Sequence, residues 1–419
     1  MPRFLLVSLN IKAILQETTL YRRREKLGTM IIGSGLRDAY DSTIGRIKAQ
    51  EGDRARLGMA ALMWISHSER PLKVDEICHA LAVEIGLTDM YTNNVPSIRT
   101  VLGCCQSLAA IDEGSSTLRL IHFTLKEYLS GHADLFGQPH SKIAETCLTY
   151  LNSQAIRDLA ASHSRDLQST SFHDNLYWLM SMGELSDRTP FLEYSSLYWG
   201  THMQMELSDR SIHLALDLLA QYDSHISANS LSVSIAKGLP NAFKPFSALR
   251  CIAYFGIFEV AIDLIRMKGC DVNQRDRMGL TLLMWAARYG REEIVNFLLQ
   301  QEHTQPDMVD TRYGRTALSW AAGSGHEVVV GLFLGPPFVN TGSRGRRWGK
   351  APQVMKPLFG RKYASPDRPD NSGRTPLWWA AYNRHGGVVK LLLRREDVNP
   401  DRSDNDGRNP LLWATQEWA

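Results

Sequence analysis

The amino-acid sequence predicts a mainly α-helical protein. Its first half is a helical region with one small β-hairpin, and its second half is an α-solenoid of repeated helix pairs. Two observations predict this fold class: apolar residues between positions 55 and 130 recur at helical spacing, and a ten-residue segment recurs three times after residue 280. A chain of 419 residues is long enough for two or three domains.

The charge of the chain is nearly balanced. There are 47 Lys and Arg against 44 Asp and Glu, which argues against a global electrostatic attraction to nucleic acid or to an anionic membrane. The apolar opening at residues 4–7 is too short for a signal peptide or a membrane span. We therefore expect a cytosolic or nuclear protein, with the cytoplasm as the predicted location and no membrane partner.

The six cysteines predict buried thiols. They form no C-x-x-C pair and have no histidine at zinc spacing, and Cys78 and Cys105 each fall on an apolar helical stripe. Free cysteine is among the most often buried residue types. The sequence accordingly predicts no metal site.

Residues 55–132 predict three helices followed by a hairpin, which is the arrangement of a winged helix. The middle helix carries an apolar stripe that includes Ile77 and Cys78, with Asp75 and Glu76 in its first turn, where the helix dipole favours acids. Alternating segments at 108–112 and 118–121, separated by E-G-S-S, predict the hairpin.

A winged helix can bind DNA through its recognition helix, here predicted at residues 96–108. The only charged side chain on that helix is Arg99, whereas binding to phosphates normally recruits several Lys or Arg. The sequence therefore argues against DNA binding by this domain.

The second half is governed by an internal repeat. The segments T-L-L-M-W-A-A-R-Y-G (281–290), T-A-L-S-W-A-A-G-S-G (316–325) and T-P-L-W-W-A-A-Y-N-R (375–384) match almost position for position, and weaker copies lie at 247–256 and 409–414. Each copy predicts a glycine turn, a Thr, Ser or Asn helix cap and a short helix, followed by a second apolar helix. The predicted second helices are 260–265, 294–299, 329–334 and 388–393.

These segments resemble the ankyrin repeat, with a D-x-x-G-x-T-x-L-x-x-A-A-x-x-G pattern and a length near 33. The resemblance covers residues 243–419, about four and a half units. The usual histidine after the leucine is absent. A tryptophan recurs one position later instead, at Trp285, Trp320, Trp379 and Trp413, and we predict that these four pack between repeats.

About 25 extra residues lie between the copies at 316–325 and 375–384, which are the third and fourth along the chain. We predict that they form an insertion within the stretch 336–366. Its stretch 341–362 carries seven Lys or Arg and no acid. One interpretation is a basic anchor for nucleic acid or acidic partners. The other, which we favour, is a disordered insertion or a translated intron. The last copy stops without a polar capping helix, so either it frays or the true protein continues.

The first half resembles fungal NACHT-type, NLR-like receptors (STAND proteins), on the segments A-L-M-W-I-S-H-S-E-R-P-L (61–72), E-I-C-H-A-L (76–81) and R-L-I-H-F-T-L-K-E-Y-L (119–129). The resemblance implies a helical remnant of the NACHT-associated region at 1–52, a winged helix of the GPI inositol-deacylase type at 55–132, a helical linker at 140–240, and the ankyrin repeats. It also implies a NACHT module as a partner, in cis or in trans.

The sequence lacks the features of an enzyme. No G-x-x-x-x-G-K-[ST] loop occurs, because Ser34 stands where residues 28–34 would need the phosphate-binding lysine. Nor is there a G-x-S-x-G nucleophile elbow or an H-E-x-x-H pair. We therefore expect no cofactor and no catalysis, and nucleotide hydrolysis would require an unseen upstream NACHT domain.

His122 is singled out by the receptor resemblance alone. In NLR-type receptors a histidine at the matching position touches the β-phosphate of bound ADP. Without a phosphate-binding loop in this chain, the favoured interpretation is a histidine at a helix entry. A sensor role would require a NACHT domain.

The ankyrin resemblance predicts a protein-binding face built from the hairpin tips and the ends of the first helices. The implied exposed positions, rich in the Tyr and Arg that dominate interface hot spots, are Tyr254, Phe255, Arg277, Met278, Arg288, Tyr289, Arg312, Tyr313, Asn371, Tyr382 and Asn383. The sequence thus predicts a non-enzymatic protein–protein interaction protein, the regulatory and sensor part of an NLR-like receptor. The alternative is a nucleic-acid-binding adaptor that uses residues 341–362.

Overall fold

The computed structural model describes residues 18–31, 36–87, 92–163, 188–236, 246–267, 271–335 and 363–410, together with Ile14 and Leu412. The chain divides into two compact units, Met1–Lys244 and Pro245–Ala419. The described part of the chain is mainly helical, as the sequence predicts.

Within the residues that the structure describes, the N-terminal unit is helical apart from one hairpin. Its helices are α1 (Leu20–Ile31), α2 (Leu36–Lys48), α3 (Arg54–His67), α4 (Val74–Ala82), α5 (Ile98–Cys104), α6 (Phe123–Gly131), α7 (Pro139–Asn152), α8 (Gln154–His163), α9 (Leu192–Met205), α10 (Asp209–Ala220) and α11 (Ile226–Ala236). Short 3-10 turns lie at Thr92–Asn94, Ala133–Leu135 and Tyr222–Ser224.

The predicted winged helix is confirmed. Helices α3, α4 and α5 are followed by strands β1 (Ala109–Asp112) and β2 (Thr117–Leu120), which pair antiparallel with Ala109 opposite Leu120 and Asp112 opposite Thr117. Its core is apolar and includes the fully buried Leu62, Ile77 and Val101.

The acid in the first turn of α4 has a structural role. Glu76 is buried, its Oε2 accepts a hydrogen bond from the Lys73 backbone amide at 2.7 Å, and the two carboxylate oxygens accept from the Arg70 guanidinium at 2.6 and 2.8 Å. A buried carboxylate is stable only when it is paired in this way. The predicted helix start is therefore fixed by one buried ion pair.

Helices α7 and α9 form the second core of the N-terminal unit. They pack against each other, and α9 contributes Tyr194 and Trp199, both fully buried. Phe191, just before α9, stacks on Tyr194 and meets the indole of Trp64 in α3 edge-on at 5.5 Å. These aromatic contacts join the winged helix to the helices that follow it.

The described residues of the C-terminal unit form four helix pairs, which we number repeats 1 to 4. They are α12 and α13 (Ala248–Phe255, Phe258–Met267), α14 and α15 (Leu282–Arg288, Glu292–Leu299), α16 and α17 (Ala317–Ser324, Glu327–Leu334), and α18 and α19 (Pro376–Tyr382, Gly386–Leu393). The first helices of successive repeats pack side by side, and so do the second helices. A solenoid of ankyrin type is thereby confirmed.

The predicted helix caps are present at the start of every first helix. The hydroxyl oxygens of Ser247, Thr281, Thr316 and Thr375 each accept a hydrogen bond from the backbone amide three residues ahead, at 3.1 to 3.3 Å. Such a cap satisfies an amide that the helix itself leaves unpaired.

In repeats 1 to 3, the other end of the first helix is completed by the next repeat. Gly256, Gly290 and Gly325 adopt left-handed φ angles of 70°, 68° and 79°. A Cβ at any of them would lie within 3 Å of the side chain that covers it, which is respectively that of Arg291, His326 or His385. The same three side chains also meet carbonyl groups at the helix end: Arg291 Nε donates to Ala253 O at 2.9 Å, and His326 and His385 approach Arg288 O and Gly323 O at 3.0 and 3.1 Å.

Five cysteines, Cys78, Cys104, Cys105, Cys147 and Cys251, are buried free thiols, as expected, and Cys270 lies outside the described residues. Among the helices of the described segments, none has the length and apolar content needed to cross a membrane.

Candidate functional site

The turns that precede repeats 2 to 4, and the turn that precedes the last copy of the repeated segment, form short projections. We call them fingers 2 to 5 (residues 276–281, 310–316, 370–375 and 404–409). Each begins with an aspartate whose carboxylate is occupied inside the finger. Asp276 Oδ1 accepts from the amides of Met278 and Leu280 at 2.8 and 3.1 Å, and its Oδ2 accepts from Trp285 Nε1 at 2.8 Å. Finger 4 repeats the arrangement with Asp370 and Trp379. These aspartates are therefore turn-forming residues.

Finger 3 is one residue longer than its neighbours. In fingers 2, 4 and 5 the glycine amide bonds back to the aspartate three residues before it, whereas Gly314 N bonds to Asp310 O four residues before it. Asp310 uses its carboxylate on the amides of Arg312, Tyr313 and Arg315. As a result the buried Nε1 of Trp320 has no hydrogen-bond partner in the described segments, and Tyr313 is 41% exposed at the tip.

Behind the fingers, arginine and aromatic side chains alternate through all four repeats. We call this series the arginine–indole ladder. Its members, in spatial order, are Phe246, Arg250, Trp285, Arg288, Trp320, Arg315, Trp379, Arg374 and Trp378. Each guanidinium lies over two aromatic rings, at 3.5 to 5.5 Å from the ring centroids, within the range of cation–π attraction.

Three of the four ladder arginines also have a polar partner. Arg315 pairs with Asp370 at 3.6 Å and Arg374 pairs with Asp404 at 3.7 Å, each across to the next finger. Arg250 Nε donates to the Tyr289 hydroxyl at 3.3 Å. Burial lowers the pKa of Arg315, and the Asp370 carboxylate opposes that shift.

Arg288 differs from the other three. Its guanidinium lies 5.4 Å from the Trp285 ring centroid and 4.6 Å from that of Trp320, and it is half-buried. No carboxylate forms an ion pair with it among the residues that the structure describes. Burial lowers its pKa. A guanidinium that is partly desolvated and lacks an acid has unused capacity to bind an anion.

The predicted face is mostly, but not entirely, outward. The exposed residues are Arg277, Arg312, Tyr313, Asn371, Tyr382 and Asn383, and the half-buried ones are Tyr254, Met278, Arg288 and Tyr289. Tyr254 and Tyr289 meet edge-on at 5.5 Å, and Tyr289 stacks on Trp285. The structure thus places Tyr254, Arg288 and Tyr289 around the ladder.

Phe255 corrects the prediction. It is only 2% exposed, so its assignment to the binding face is wrong. The physical reason is helical geometry: successive residues point about 100° apart, and at the end of α12 Phe255 points inward while Tyr254 stays half-buried. Phe255 belongs to the core of repeat 1.

The tryptophans behave as predicted wherever they are described. Trp285, Trp320 and Trp379 are buried between repeats, and Trp413 lies outside the described residues. Sequence reasoning missed the arginines that stack on them. The G-R-T triplets at 314–316 and 373–375, which coincide with the tryptophan copies, are the signal that predicts Arg315 and Arg374.

His122 lies at a helix entry. It is the N-cap of α6, where its Nδ1 accepts from the Thr124 amide at 3.3 Å. The Thr124 hydroxyl in turn lies 2.9 Å from the hydroxyl of Tyr40 in α2, and Phe123 beside it is largely exposed. Contact of His122 with a nucleotide stays a prediction. Residues 336–362, including the basic stretch 341–362, lie outside the described residues.

The N-terminal unit contains a cluster of uncharged polar side chains. His202 is fully buried, with Nε2 at 2.8 Å from the Tyr194 hydroxyl and Nδ1 at 2.8 Å from His140 Nδ1. His67 meets the His140 ring edge-on at 5.4 Å. Burial, reinforced by His140 and His67, lowers the pKa of His202 to about 3, and burial also lowers the pKa of His67 and of His140. All three imidazoles are therefore neutral at pH 7.

Comparison with known families agrees with this architecture. Residues 47–138 match the GPI inositol-deacylase winged helix domain, and residues 249–340 and 347–417 match ankyrin repeats, in three copies. No curated protein matches the chain. The chain carries a winged helix of the GPI inositol-deacylase type followed by ankyrin repeats, and the repeats support a role in protein interaction.

Proposed function

We propose that this chain, a winged helix followed by ankyrin repeats, is a non-enzymatic protein-binding component of an NLR-like receptor that captures its ligand on fingers 2 to 4 and the adjoining ends of the first helices. The observation that carries the proposal is the exposure of Arg312, Tyr313 and Tyr382 on a rigid scaffold. Tyr and Arg supply large contact areas and charge-assisted hydrogen bonds, which is why they dominate interface energetics.

The scaffold supports this role because it holds the exposed residues in place. Finger 3 is fixed by three hydrogen bonds to the Asp310 carboxylate, and the ladder packs behind it. A rigid binding surface loses little conformational entropy when a partner binds. Tyr313 and Tyr382 are therefore preorganised anchors.

The winged helix supplies the regulatory part of the proposal. Ligand capture by the repeats would bias the packing of the winged helix against a nucleotide-binding NACHT module, which is a coupling between two sites. The resemblance of residues 61–72 and 119–129 to fungal receptors supports this context. We place the protein in the cytoplasm, where its free thiols would stay reduced.

A photocrosslinking experiment tests ligand capture. Benzoylphenylalanine replaces Tyr313 or Tyr382 in the full chain, and Val328, which is 40% exposed on a second helix, carries the same group as the control. After irradiation in extracts of the native cells, we expect discrete crosslinked proteins from positions 313 and 382 and not from position 328.

The Tyr289→Ala, Tyr313→Ala double variant gives the complementary test. It should weaken capture of the crosslinked protein by about tenfold or more, as expected for two hot-spot residues. Unchanged capture, or the absence of crosslinks from positions 313 and 382, would sink the assignment of this face.

A further inference from the structure

We infer that Arg288 is an anchor for a carboxylate and that the ligand of this face is an acidic, extended peptide segment whose Asp or Glu side chain binds between Trp285 and Trp320. The inference rests on the proposed protein-binding function and specifies the chemistry of the partner. It is drawn from the difference between Arg288 and the other three ladder arginines.

The geometry at Arg288 is that of an incomplete ion-pair site. Arg315 and Arg374 occupy comparable stacked positions, and each has an aspartate at 3.6 to 3.7 Å. Arg288 has the two indoles without the aspartate. Stacking on indoles holds the planar guanidinium in one orientation, so its N–H donors are already directed when an anion arrives.

The aspartates of fingers 2 and 3 do not form an ion pair with Arg288. The Asp310 carboxylate acts weakly on Arg288 through space, but its oxygens accept the three backbone amides of finger 3. The Asp276 carboxylate is occupied by two amides, by Trp285 Nε1 and by the Ser247 hydroxyl. Because no described residue supplies Arg288 with a carboxylate, the inference takes that group from another molecule.

The surroundings of Arg288 leave room for a carboxylate and favour a negatively charged ligand. The matching helix-end positions of repeat 3 are Gly323 and Ser324, which are the smallest in the array. Arg277 and Arg312 are exposed on fingers 2 and 3, and neither forms an ion pair in the described segments. A segment that places one acid on Arg288 would meet both cations within the span of two fingers, with Tyr313 beside it for an apolar side chain.

The partner chemistry follows from this arrangement. A single small anion would use Arg288 alone, whereas the pair of cationic fingers favours several acids along one extended chain. An acidic peptide can place one acid on Arg288 and others near the two cationic fingers, because alternate side chains of an extended strand point in the same direction. The half-buried Arg288 should supply most of the affinity, and the exposed Arg277 and Arg312 should mainly raise the rate of association.

The test uses three pools of fluorescein-labelled dodecapeptides that carry Leu or Tyr at alternate positions. The remaining positions are Asp or Glu in the first pool, Asn or Gln in the second and Lys or Arg in the third. Fluorescence anisotropy with the full chain measures binding at low and physiological salt. We expect the acidic pool to bind at least tenfold more tightly than the amide pool, and the basic pool to bind least.

Variants locate the anchor. Arg288→Gln should weaken binding of the acidic pool by about tenfold or more, whereas Arg288→Lys, which keeps the charge but loses the planar fork, should weaken it less. The Arg277→Gln, Arg312→Gln variant should cost about two- to threefold and reduce the salt dependence. Arg266→Gln, at an exposed arginine on a second helix, removes the same charge elsewhere and should have no effect.

Two results would overturn the inference: equal binding of the acidic and amide pools, or unchanged binding after Arg288→Gln. A variant that fails to fold is identified by circular dichroism, and Arg288→Lys then decides, because equal affinity with the parent would exclude a fork-specific anchor. If crosslinks form at Tyr313 while the pools bind alike, the face binds protein but not through an acid. If neither crosslinks nor peptide binding are found, the proposed function itself fails.

Discussion

Two clusters of this protein, one in each unit, hold polar side chains in opposite ways. In the N-terminal unit the buried cluster around His202 consists of neutral imidazoles and a phenol that hydrogen-bond to one another. In the C-terminal unit the buried polar groups of the arginine–indole ladder carry full charge and are held by stacking and by aspartates of the next finger. The His202 cluster is therefore uncharged at neutral pH and sensitive to acid, whereas the ladder shares its charges between repeats.

Among these changes, replacement of Arg315 by alanine should lower the free energy of unfolding most, because it interrupts the ladder. The change removes the guanidinium that lies 3.5 Å from the Trp379 ring centroid and leaves the buried Asp370 carboxylate without its cation. We expect a loss of about 3 kcal/mol in the free energy of unfolding, measured by urea denaturation. Arg315→Lys, which retains the charge, is the matched control and should lose less. A difference from the parent below about 0.5 kcal/mol would show that stacking contributes little here.

Acidification should destabilise the neutral cluster around His202. The folded state lowers the pKa of His202 to about 3. The imidazole of His202 is therefore protonated at higher pH in the unfolded chain than in the folded one. Its contribution to the free energy of unfolding is complete above pH 6.5 and declines as the pH falls toward 3. His202 alone should cost roughly 2–3 kcal/mol by pH 4.5.

Hydrogen exchange of the full chain, corrected for the intrinsic rate at each pH, measures this locally. Protection of α9 should fall between pH 7 and pH 4.5 by more than protection of α16. His202→Gln, which can still hydrogen-bond to Tyr194, should flatten the dependence. Equal loss of protection in both helices would contradict the proposed difference between the two interiors.

Deletion of Thr311 should change the free energy of unfolding least, and it should stabilise the protein. It shortens finger 3 to the length of fingers 2 and 4, in which the aspartate accepts a hydrogen bond from the tryptophan of the same repeat. Trp320 Nε1, now without a partner in the described segments, should then bond to Asp310, and we expect stabilisation by about 1 kcal/mol in urea denaturation. Destabilisation by the deletion would mean that the longer finger is favoured for reasons of packing.

The sequence predicted those features of the fold that depend on local patterns. Thr281, Thr316 and Thr375 reveal helix starts because an N-cap bonds within one turn. The cluster around His202 was not predictable, because His67, His140 and His202 are far apart in the chain and meet only when α3, α7 and α9 pack. The ladder lies between these extremes, since its tryptophans and arginines recur visibly but their stacking partners come from neighbouring repeats.

For the candidate site, residue type was a better guide than orientation. Tyr313 and Tyr382 are exposed as expected, while Phe255 is buried because it points away from Tyr254. The greater length of finger 3 was visible in the spacing of Asp310 and Gly314, one residue more than in fingers 2, 4 and 5. That Arg288 has no acid partner in the described segments required coordinates, because it depends on which carboxylates lie within reach of its guanidinium.

The caps that cross from one repeat to the next have a consequence for synthesis on the ribosome. In repeats 1 to 3, the end of the first helix is completed by a side chain that is translated later. The sequence distance is 35 residues from Arg291 to His326 and 59 residues from His326 to His385. At about 5–20 residues per second, the second interval lasts about 3–12 s. Repeat 3 therefore waits longest for its cap, which makes it the part of the nascent solenoid most open to chaperones or proteases.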